Sequence, residues 1–258
     1  MDQQDITQAP APASRKPRLP PAVLFNTLSR AGILYPFIIL FIVLSVWSGP
    51  FFTKVNLLDI LDQQSSTLII AAAGTLVLVA GGIDLSVGAV YALAGVTAAH
   101  LALFASPAVA IVAGIAVGLG VGLVNGVIVT AFRINALIAT LAMSFVVSGL
   151  ASLVTAGNLV IDYSHPGFAD LARSSFLTVN TSTWTMLAVV VALAVVLSRS
   201  TAGRYMYASG SNAEAARLSG VRVQLIKLTT FVLSGGAAAL GGILLLAFGY
   251  DAWSRLRA

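Results

Sequence analysis

Side chains that could do chemistry are scarce in this chain and concentrate in two stretches, GGIDLSVG (81–88) and SGSNAEAARLSG (209–220). The second stretch contains Glu214, the only glutamate. The chain has no cysteine, and its two histidines have no metal-ligand partner at helical spacing. No G-x-x-x-x-G-K-[ST] motif occurs, so the sequence has no P-loop for ATP. We therefore expect a non-enzyme, with no catalytic residue, no metal site and no cofactor.

The elements that must position these stretches are strongly apolar. Hydrophobic residues make up 58% of the chain and charged residues only 9%, whereas a soluble domain has about 25% charged residues. A bilayer core requires roughly 20 helical residues to cross. We predict an all-α, polytopic transmembrane helical bundle embedded in the lipid bilayer, and no nucleic-acid partner. About seven spans are expected, at 31–48, 58–80, 86–104, 107–132, 134–157, 183–198 and 224–248.

Three regions follow from this division. Residues 1–30 are polar and rich in Pro and Ala, which predicts a disordered cytoplasmic tail. Residues 31–248 form the transmembrane domain and include the longest internal connection, 199–223, here called the 199–223 segment. Residues 249–258 form a short C-terminal tail. The longest external connection is expected at 158–182, with Asp162, His165, Pro166, Asp170 and Arg173.

The basic residues predict the orientation, because cytoplasmic loops of membrane proteins carry an excess of Lys and Arg. A cytoplasmic N-terminus puts ten of the fourteen basic residues inside. These ten are Arg15, Lys16, Arg18, Arg30, Arg133, Arg199, Arg204, Arg217, Arg222 and Lys227. The four outside are Lys54, Arg173, Arg255 and Arg257. We expect a multi-pass protein of the bacterial inner membrane.

The stretch around Glu214 predicts a short, self-capped helix. Ser211 and Glu214 fit the S-x-x-E capping box. In that motif the serine hydroxyl accepts from the backbone N–H of the glutamate, and the glutamate side chain accepts from the backbone N–H of the serine. Arg217 suits the last turn, and Gly220 suits a left-handed residue that ends the helix. Two interpretations stay open: a loop helix that covers the inner membrane surface, or a helix that docks into a partner's groove.

The other stretch predicts a helix break followed by a cap. Gly81 and Gly82 interrupt the helix, and the segment from Asp84 to Ser86 can cap the next one. A charge at membrane depth costs several kcal/mol, so Asp84 should face protein, water or a helix end. Capping is favoured over a direct role in substrate passage. The motif residues selected here are Gly81, Gly82, Asp84, Ser86 and Gly88.

Small and hydroxylated residues recur every four positions in two spans. Gly114, Gly118, Gly122 and Gly126 share one helix face and predict close packing against a neighbouring helix. A second face carries hydroxyls, which suit a neutral polyol such as a sugar but are also frequent at helix contacts. Packing is the favoured role for them, and pathway lining is the alternative. These residues are Thr140, Ser144, Ser148 and Ser152.

GRYMYASGSNAEAARLSGVRV (203–223) resembles the cytoplasmic coupling loop of permease subunits of ATP-binding-cassette sugar importers, of the ribose, xylose, arabinose or galactose type. VAGGIDLSVGAVYALAG (79–95) is similar to that family's most characteristic stretch, and the likeness extends over roughly residues 30–248. The resemblance implies an importer in which this loop contacts a separate ATPase subunit. The residues implied in that contact are Gly203, Arg204, Ser211, Asn212, Glu214, Ala215, Ala216, Arg217, Leu218 and Gly220.

The resemblance also implies the other partners: a second permease subunit and a periplasmic sugar-binding protein. A branched-chain amino-acid permease of the same superfamily is the alternative. Relatives usually continue beyond the seventh span with further spans, so a truncated, non-transporting scaffold is a hypothesis of another class. An ion-driven carrier would need functional charges in several spans, and only Asp84 lies in such a position.

Overall fold

The computed structural model describes residue 32, residues 34–156 and residues 174–256, with side chains as far as residue 247. The expected tail 1–30 and its basic residues lie outside the described residues. So do Arg257 and most of the expected connection 158–182, including Asp162, His165, Pro166, Asp170 and Arg173.

The described chain is almost entirely helical. Its helices are α1 (Leu34–Trp47), α2 (Lys54–Val79), α3 (Val87–Ala102), α4 (Pro107–Thr130), α5 (Ala136–Val154), α6 (Thr181–Arg199), α7 (Thr201–Ser211), α8 (Ala213–Leu218) and α9 (Val223–Leu256). Two short antiparallel strands, β1 (Ser175–Phe176) and β2 (Val179–Asn180), form a hairpin before α6. Helix α9 continues past the expected span end at residue 248. Helix α7 was not predicted.

Four of these helices are long and apolar enough to cross a membrane: α4, α5, α6 and residues Val223–Ala247 of α9. Helices α1 and α3 are apolar but shorter. The polytopic helical architecture is therefore confirmed, whereas the expected number of about seven spans is not. Many large apolar side chains are exposed on the outside, including Phe145 at 73% and Leu153 at 77%, as lipid-facing helices require.

The described residues up to 57 form one compact unit, and the described residues from 58 onwards form another. In the first unit no residue of α1 is buried. The ring of Phe41 lies edge-on to those of Phe51 and Phe52, with centroid distances of 5.4 and 5.9 Å. The side chain of Asn56 donates to the carbonyl oxygen of Phe51 at 2.7 Å. This unit is therefore organised by an aromatic cluster and a local turn.

Helix α9 is the centre of the second unit. In its most apolar stretch 61% of residues are buried, against 22% in α4 and 17% in α5 and in α6. Glycines allow α4 to approach it closely: a Cβ on Gly118 would overlap the carbonyl oxygen of Gly235, and one on Gly122 would overlap that of Phe231. A Cβ on Gly242 would likewise overlap the carbonyl oxygen of Tyr91 in α3. The predicted packing role of the α4 glycines is confirmed.

Candidate functional site

The 199–223 segment begins with a tight turn between α6 and α7. Ser200 caps α7, and its hydroxyl oxygen accepts from the backbone N–H of Gly203 at 3.0 Å. A Cβ on Gly203 would overlap the carbonyl oxygens of Val196 and Leu197, so only glycine fits this turn. Gly203, Met206 and Ser209 are buried at a spacing of three residues, which defines the inward face of α7.

That inward face packs against the end of α2. Met206 is 2% exposed and clusters with Leu76 and Ala80. At the far end of α7, a Cβ on Gly210 would overlap the carbonyl oxygen of Val79. Two of the singled-out stretches therefore meet backbone to backbone at this point.

Gly81 completes the contact from the other side. Its φ of +79° lies in the left-handed region, and a Cβ there would lie 3.3 Å from the Cα atom of Gly210. The predicted helix break is confirmed, since α2 ends at Val79 and α3 begins at Val87. Gly88 differs, because a Cβ at that position would meet nothing within 4 Å. Gly88 is therefore not required for packing.

The predicted capping box at Ser211 is wrong by one residue. Helix α7 runs through Ser211, whose hydroxyl donates back to the carbonyl oxygen of Ala208 at 3.2 Å. Asn212 has extended backbone angles and caps α8, its Oδ1 accepting from the N–H of Ala215 at 3.0 Å. Asparagine is as good an N-cap as serine, so the cap falls where the preceding helix ends. Glu214 is consequently free to take another partner.

That partner is Arg217, one turn along α8. Its Nη2 lies 2.6 Å from Oε1 of Glu214, and its Nε donates to Oε2 at 3.1 Å, so the pair is bidentate. Both side chains are about two-thirds exposed. The hydrogen bond and the charge of Arg217 lower the pKa of the Glu214 carboxyl. Gly220 lies just after the end of α8 with a φ of +84°, the left-handed conformation predicted for it.

The rest of α7 and α8 presents an exposed face. Among the residues implied in partner contact, Ala216 and Gly203 are buried. Leu218 is 77% exposed. The exposed members are Arg204, Ser211, Asn212, Glu214, Ala215, Arg217, Leu218 and Gly220. This exposed face, together with Tyr205 and Tyr207, is here called the outward face of the segment.

Directly after the Gly81–Gly82 turn, Asp84 holds three helices together. Its Oδ1 accepts from the N–H of Ser86 at 3.0 Å and from the Ser86 hydroxyl at 2.7 Å. Its Oδ2 accepts from the hydroxyl of Ser234 in α9 at 2.8 Å. The side-chain N–H of Asn125, in α4, donates to the Ser86 hydroxyl at 2.8 Å. Asp84 therefore closes a turn on Ser86 directly before α3, whereas the N-cap residue Ser86 makes no side-chain capping hydrogen bond of its own. These four residues are here called the Asp84 network.

Asn125 is a member of this network that sequence reasoning missed. It is fully buried, and among the described residues its Oδ1 has no hydrogen-bond partner. An asparagine near the end of an otherwise glycine-rich and aliphatic helix, VGLVNGVIV (121–129), is the signal that could have identified it.

The hydroxyl series on α5 is divided. Thr140 is fully buried; its hydroxyl accepts from the N–H of Leu85 at 3.1 Å and donates to the carbonyl oxygen of Ala136 at 2.8 Å. The Ser144 hydroxyl donates to the carbonyl oxygen of Leu141 at 2.7 Å. Ser148 and Ser152 are exposed. Thr140 thus fixes α5 to the segment before α3, and the series does not act as one surface.

A second group of polar residues lies at the opposite end of α2, about 25 Å from Val79 at 1.5 Å per helical residue. Asp62 is only 7% exposed, and its Oδ2 accepts from the side-chain N–H of Asn180, at the end of β2, at 2.8 Å. Asp62 was not among the residues selected from the sequence. The polar run DQQSS (62–66) was the available signal.

Comparisons with known proteins agree with this architecture. An L-arabinose ABC transporter permease of Azospirillum brasilense is 37% identical over 223 residues, which cover 86% of this chain and 66% of the relative. A ribose import permease of Escherichia coli is 38% identical over 219 residues, covering 82% and 67%. A galactofuranose transporter permease of Escherichia coli is 34% identical over 192 residues, covering 74% and 56%.

The chain spans about two thirds of the length of the first two relatives. No solved structure matches it. A family model described as the permease component of the branched-chain amino acid transport system matches residues 56–254. With most of its length matched, this chain belongs to that family of helical membrane permeases.

Proposed function

We propose that this chain is the membrane-spanning permease subunit of an ATP-driven importer, and that its cargo is a monosaccharide. The 199–223 segment would be the site at which a separate ATPase subunit docks. The chain itself would supply the pathway and no ATP-hydrolysing site. Its other partners would be a second permease subunit and a periplasmic sugar-binding protein, in an inner membrane with the N-terminus in the cytoplasm.

The observation that carries this proposal is the backbone contact between Gly210 and the end of α2. The outward face of the 199–223 segment is available to a partner, whereas its inward face is packed through Met206 and Gly210 against α2 and the Gly81 turn. A push on the outward face would therefore be transmitted to the turn without an intervening flexible side chain. Close-packed backbone transmits displacement because it has no slack to absorb it.

The Asp84 network would carry that displacement further. Gly82 and Asp84 lie in one short link between α2 and α3, so a shift of the turn moves the carboxylate as well. Because the carboxylate is hydrogen-bonded to Ser86 and Ser234, α3 and α9 would move with it. An open groove lined by Gly81, Gly82 and the start of α5 lies beside the turn.

The choice of cargo rests on the relatives. Three permeases between 34% and 38% identical are named for arabinose, ribose and galactofuranose transport. The family description names branched-chain amino acids, which therefore stay the alternative cargo.

The docking proposal can be tested by crosslinking, since the chain has no cysteine of its own. Ala213→Cys puts a single thiol on the exposed start of α8. The chain would be co-expressed in membranes with the candidate ATPase, itself carrying one cysteine in its docking groove. We expect a crosslink whose yield changes when ATP is added.

Phe104→Cys is the matched control. Phe104 is 79% exposed and follows α3 at the end remote from the Gly81 turn. Its thiol should react with an impermeant reagent from the opposite side of the membrane and should never crosslink to the ATPase. A thiol at 213 that is reached from the same side as that at 104 would overturn the proposed topology. A thiol at 213 that faces the ATPase and never crosslinks would overturn docking.

A further inference from the structure

A cavity of about 260 Å³ lies between α2, α6 and α9, at the end of α2 remote from the Gly81 turn. Its polar lining consists of Asp62, Gln63, Gln64, Ser66 and Ser182, and two leucines of α9 form its apolar wall. Ligand pockets combine an apolar wall with a few polar groups in this way. Neither the family match nor the resemblance assigns a role to these residues.

Asp62 is the group in this lining that needs explanation. It is 7% exposed and forms no ion pair with any residue that the structure describes. Its Oδ2 is held by Asn180, but the one described partner of its Oδ1 is the Thr183 hydroxyl at 3.4 Å, which is long for a hydrogen bond between oxygens. A carboxylate offers about four acceptor sites, so the described residues use fewer than it offers.

We infer that this cavity is a binding site for the hydroxyl groups of a neutral sugar, with Asp62 as its principal acceptor. This inference rests on the proposed function and deepens it by naming the residues that select the cargo. Sugar hydroxyls donate to a carboxylate in strong, charge-assisted hydrogen bonds. The amides of Gln63 and Gln64 and the hydroxyl of Ser182 can both donate and accept, as a polyol requires.

The lining also bears on the alternative cargo. The ammonium group of a branched-chain amino acid could pair with Asp62, but its carboxylate would need a cationic partner of its own in a site partly shielded from water. Among the described residues that line the cavity there is no lysine or arginine to provide one. The site therefore favours a neutral polyol over an amino acid.

The position of the cavity fits a site of entry. It lies about 25 Å along α2 from the contact with Gly210, which approaches the thickness of a bilayer core. With the 199–223 segment on the cytoplasmic side, the cavity faces the side from which a binding protein delivers sugar. Cargo recognition and ATPase docking would thus occupy the two ends of the same helix.

A purely structural role for Asp62, anchoring β2 and α6 to α2, can be separated from binding by Asp62→Asn. In the variant the side-chain oxygen can still accept from Asn180, and the new N–H can donate to the Thr183 hydroxyl. The variant therefore keeps both anchoring contacts and removes the charge. Asp59→Asn is the matched control, because Asp59 lies one turn earlier on α2, is exposed and does not line the cavity.

The experiment follows the labelling of Gln64→Cys by an impermeant maleimide in spheroplasts, with D-ribose, L-arabinose or L-leucine present at high millimolar concentration. We expect at least one of the two sugars to slow labelling, and leucine to leave it unchanged. Adding Asp62→Asn should raise the sugar concentration needed for half-protection about tenfold, because it replaces charge-assisted hydrogen bonds with neutral ones. Adding Asp59→Asn should leave it unchanged.

Three results would overturn the inference: no protection by either sugar, protection by leucine as strong as by sugar, or equal protection with and without the Asp62 charge. The crosslink at Ala213→Cys, measured on the same membranes, separates this inference from the proposed function. A crosslink without sugar protection supports the importer proposal and rejects the cavity as a sugar-binding site. Sugar protection without a crosslink rejects ATPase docking at the 199–223 segment and supports the cavity as a sugar-binding site.

Discussion

Asp62 and Asp84 are two carboxylates in an apolar bundle, and neither forms an ion pair with a described residue, yet they are held in different ways. Asp84 accepts three hydrogen bonds at 2.7 to 3.0 Å and is linked to α3 and α9. Asp62 is more completely buried but accepts one hydrogen bond of normal length and adjoins a cavity. The number of donors, more than the burial, distinguishes a structural carboxylate from one available to a ligand.

This difference has a physical basis. A buried charge is tolerated when nearby dipoles replace the water that it has lost. Around Asp84 the protein provides these dipoles, so little would be gained by a ligand there. Around Asp62 the described residues provide fewer hydrogen-bond donors, and a ligand with several hydroxyls would supply more of them. The two ends of α2 therefore fit the two roles proposed for them, transmission at one end and recognition at the other.

Asp84→Ala should have the largest effect on stability. It leaves Ser86 and Ser234 without their acceptor in a buried place, and we expect the free energy of unfolding to fall by about 3 kcal/mol. Circular dichroism during titration of the detergent-solubilised protein with dodecyl sulfate measures this change. The control is Asp59→Ala, which removes an exposed carboxylate and should change little. Equal losses in the two variants would mean that the Asp84 network does not stabilise the fold.

Gly210→Ala tests whether the turn end of α2 and the 199–223 segment form one rigid block. The added Cβ would overlap the carbonyl oxygen of Val79, and such overpacking should cost about 2 kcal/mol in the same titration. The ATP-sensitive crosslink at position 213 should also weaken, because α7 must move away from α2.

Gly88→Ala is the control for that substitution. A Cβ at Gly88 would meet nothing within 4 Å, and alanine is the better helix former, so stability should stay the same or rise by up to about 1 kcal/mol. If Gly210→Ala behaved like Gly88→Ala, the backbone contact between α2 and α7 would not be the rigid link that the proposal requires.

Features that depend on neighbouring residues could be predicted from the sequence. Apolar runs predicted where the spanning helices lie, the Gly81–Gly82 pair predicted a break, and Gly220 predicted a left-handed helix end. The contact of Asp84 with Ser86 was predictable for the same reason, since the two residues are only two positions apart. Each of these depends on a few consecutive residues and their local backbone preferences.

Features that depend on distant partners could not be predicted. Asn180 binds Asp62 across 118 residues, and Ser234 binds Asp84 across 150. Nothing in the sequence next to Gly210 indicates that the carbonyl oxygen of Val79 lies against it. Even the capping box failed, because whether α7 ends before or after Ser211 depends on how α7 packs on α2. The contact between Gly210 and Val79 and the cavity beside Asp62 both belong to this class.

Asp62→Asn should change stability less than Asp84→Asn does. The first variant can keep its contacts with Asn180 and Thr183, so we expect a loss below about 0.5 kcal/mol, whereas the second weakens three charge-assisted hydrogen bonds and should lose about 1.5 kcal/mol. The dodecyl sulfate titration again measures both. A larger loss for Asp62→Asn would make Asp62 the structural carboxylate and reverse the comparison.

The smallest effect is expected from the exposed pair of Glu214 and Arg217. Because Arg217 lowers the pKa of the Glu214 carboxyl from its ordinary 4.5, the pair orders α8 above that value and is lost as the pH falls through the lowered one. Both groups are exposed, so global stability should not change measurably. A spin label at Ala213→Cys should become more mobile only below pH 4.5.

Glu214→Gln separates this local effect from the protonation of other carboxylates. The variant has no titrating group at this position, so its label should be mobile at every pH and should show no acid transition. An acid transition that persists in Glu214→Gln would assign the change to another group. The interpretation that the pair of Glu214 and Arg217 orders α8 would then have to be abandoned.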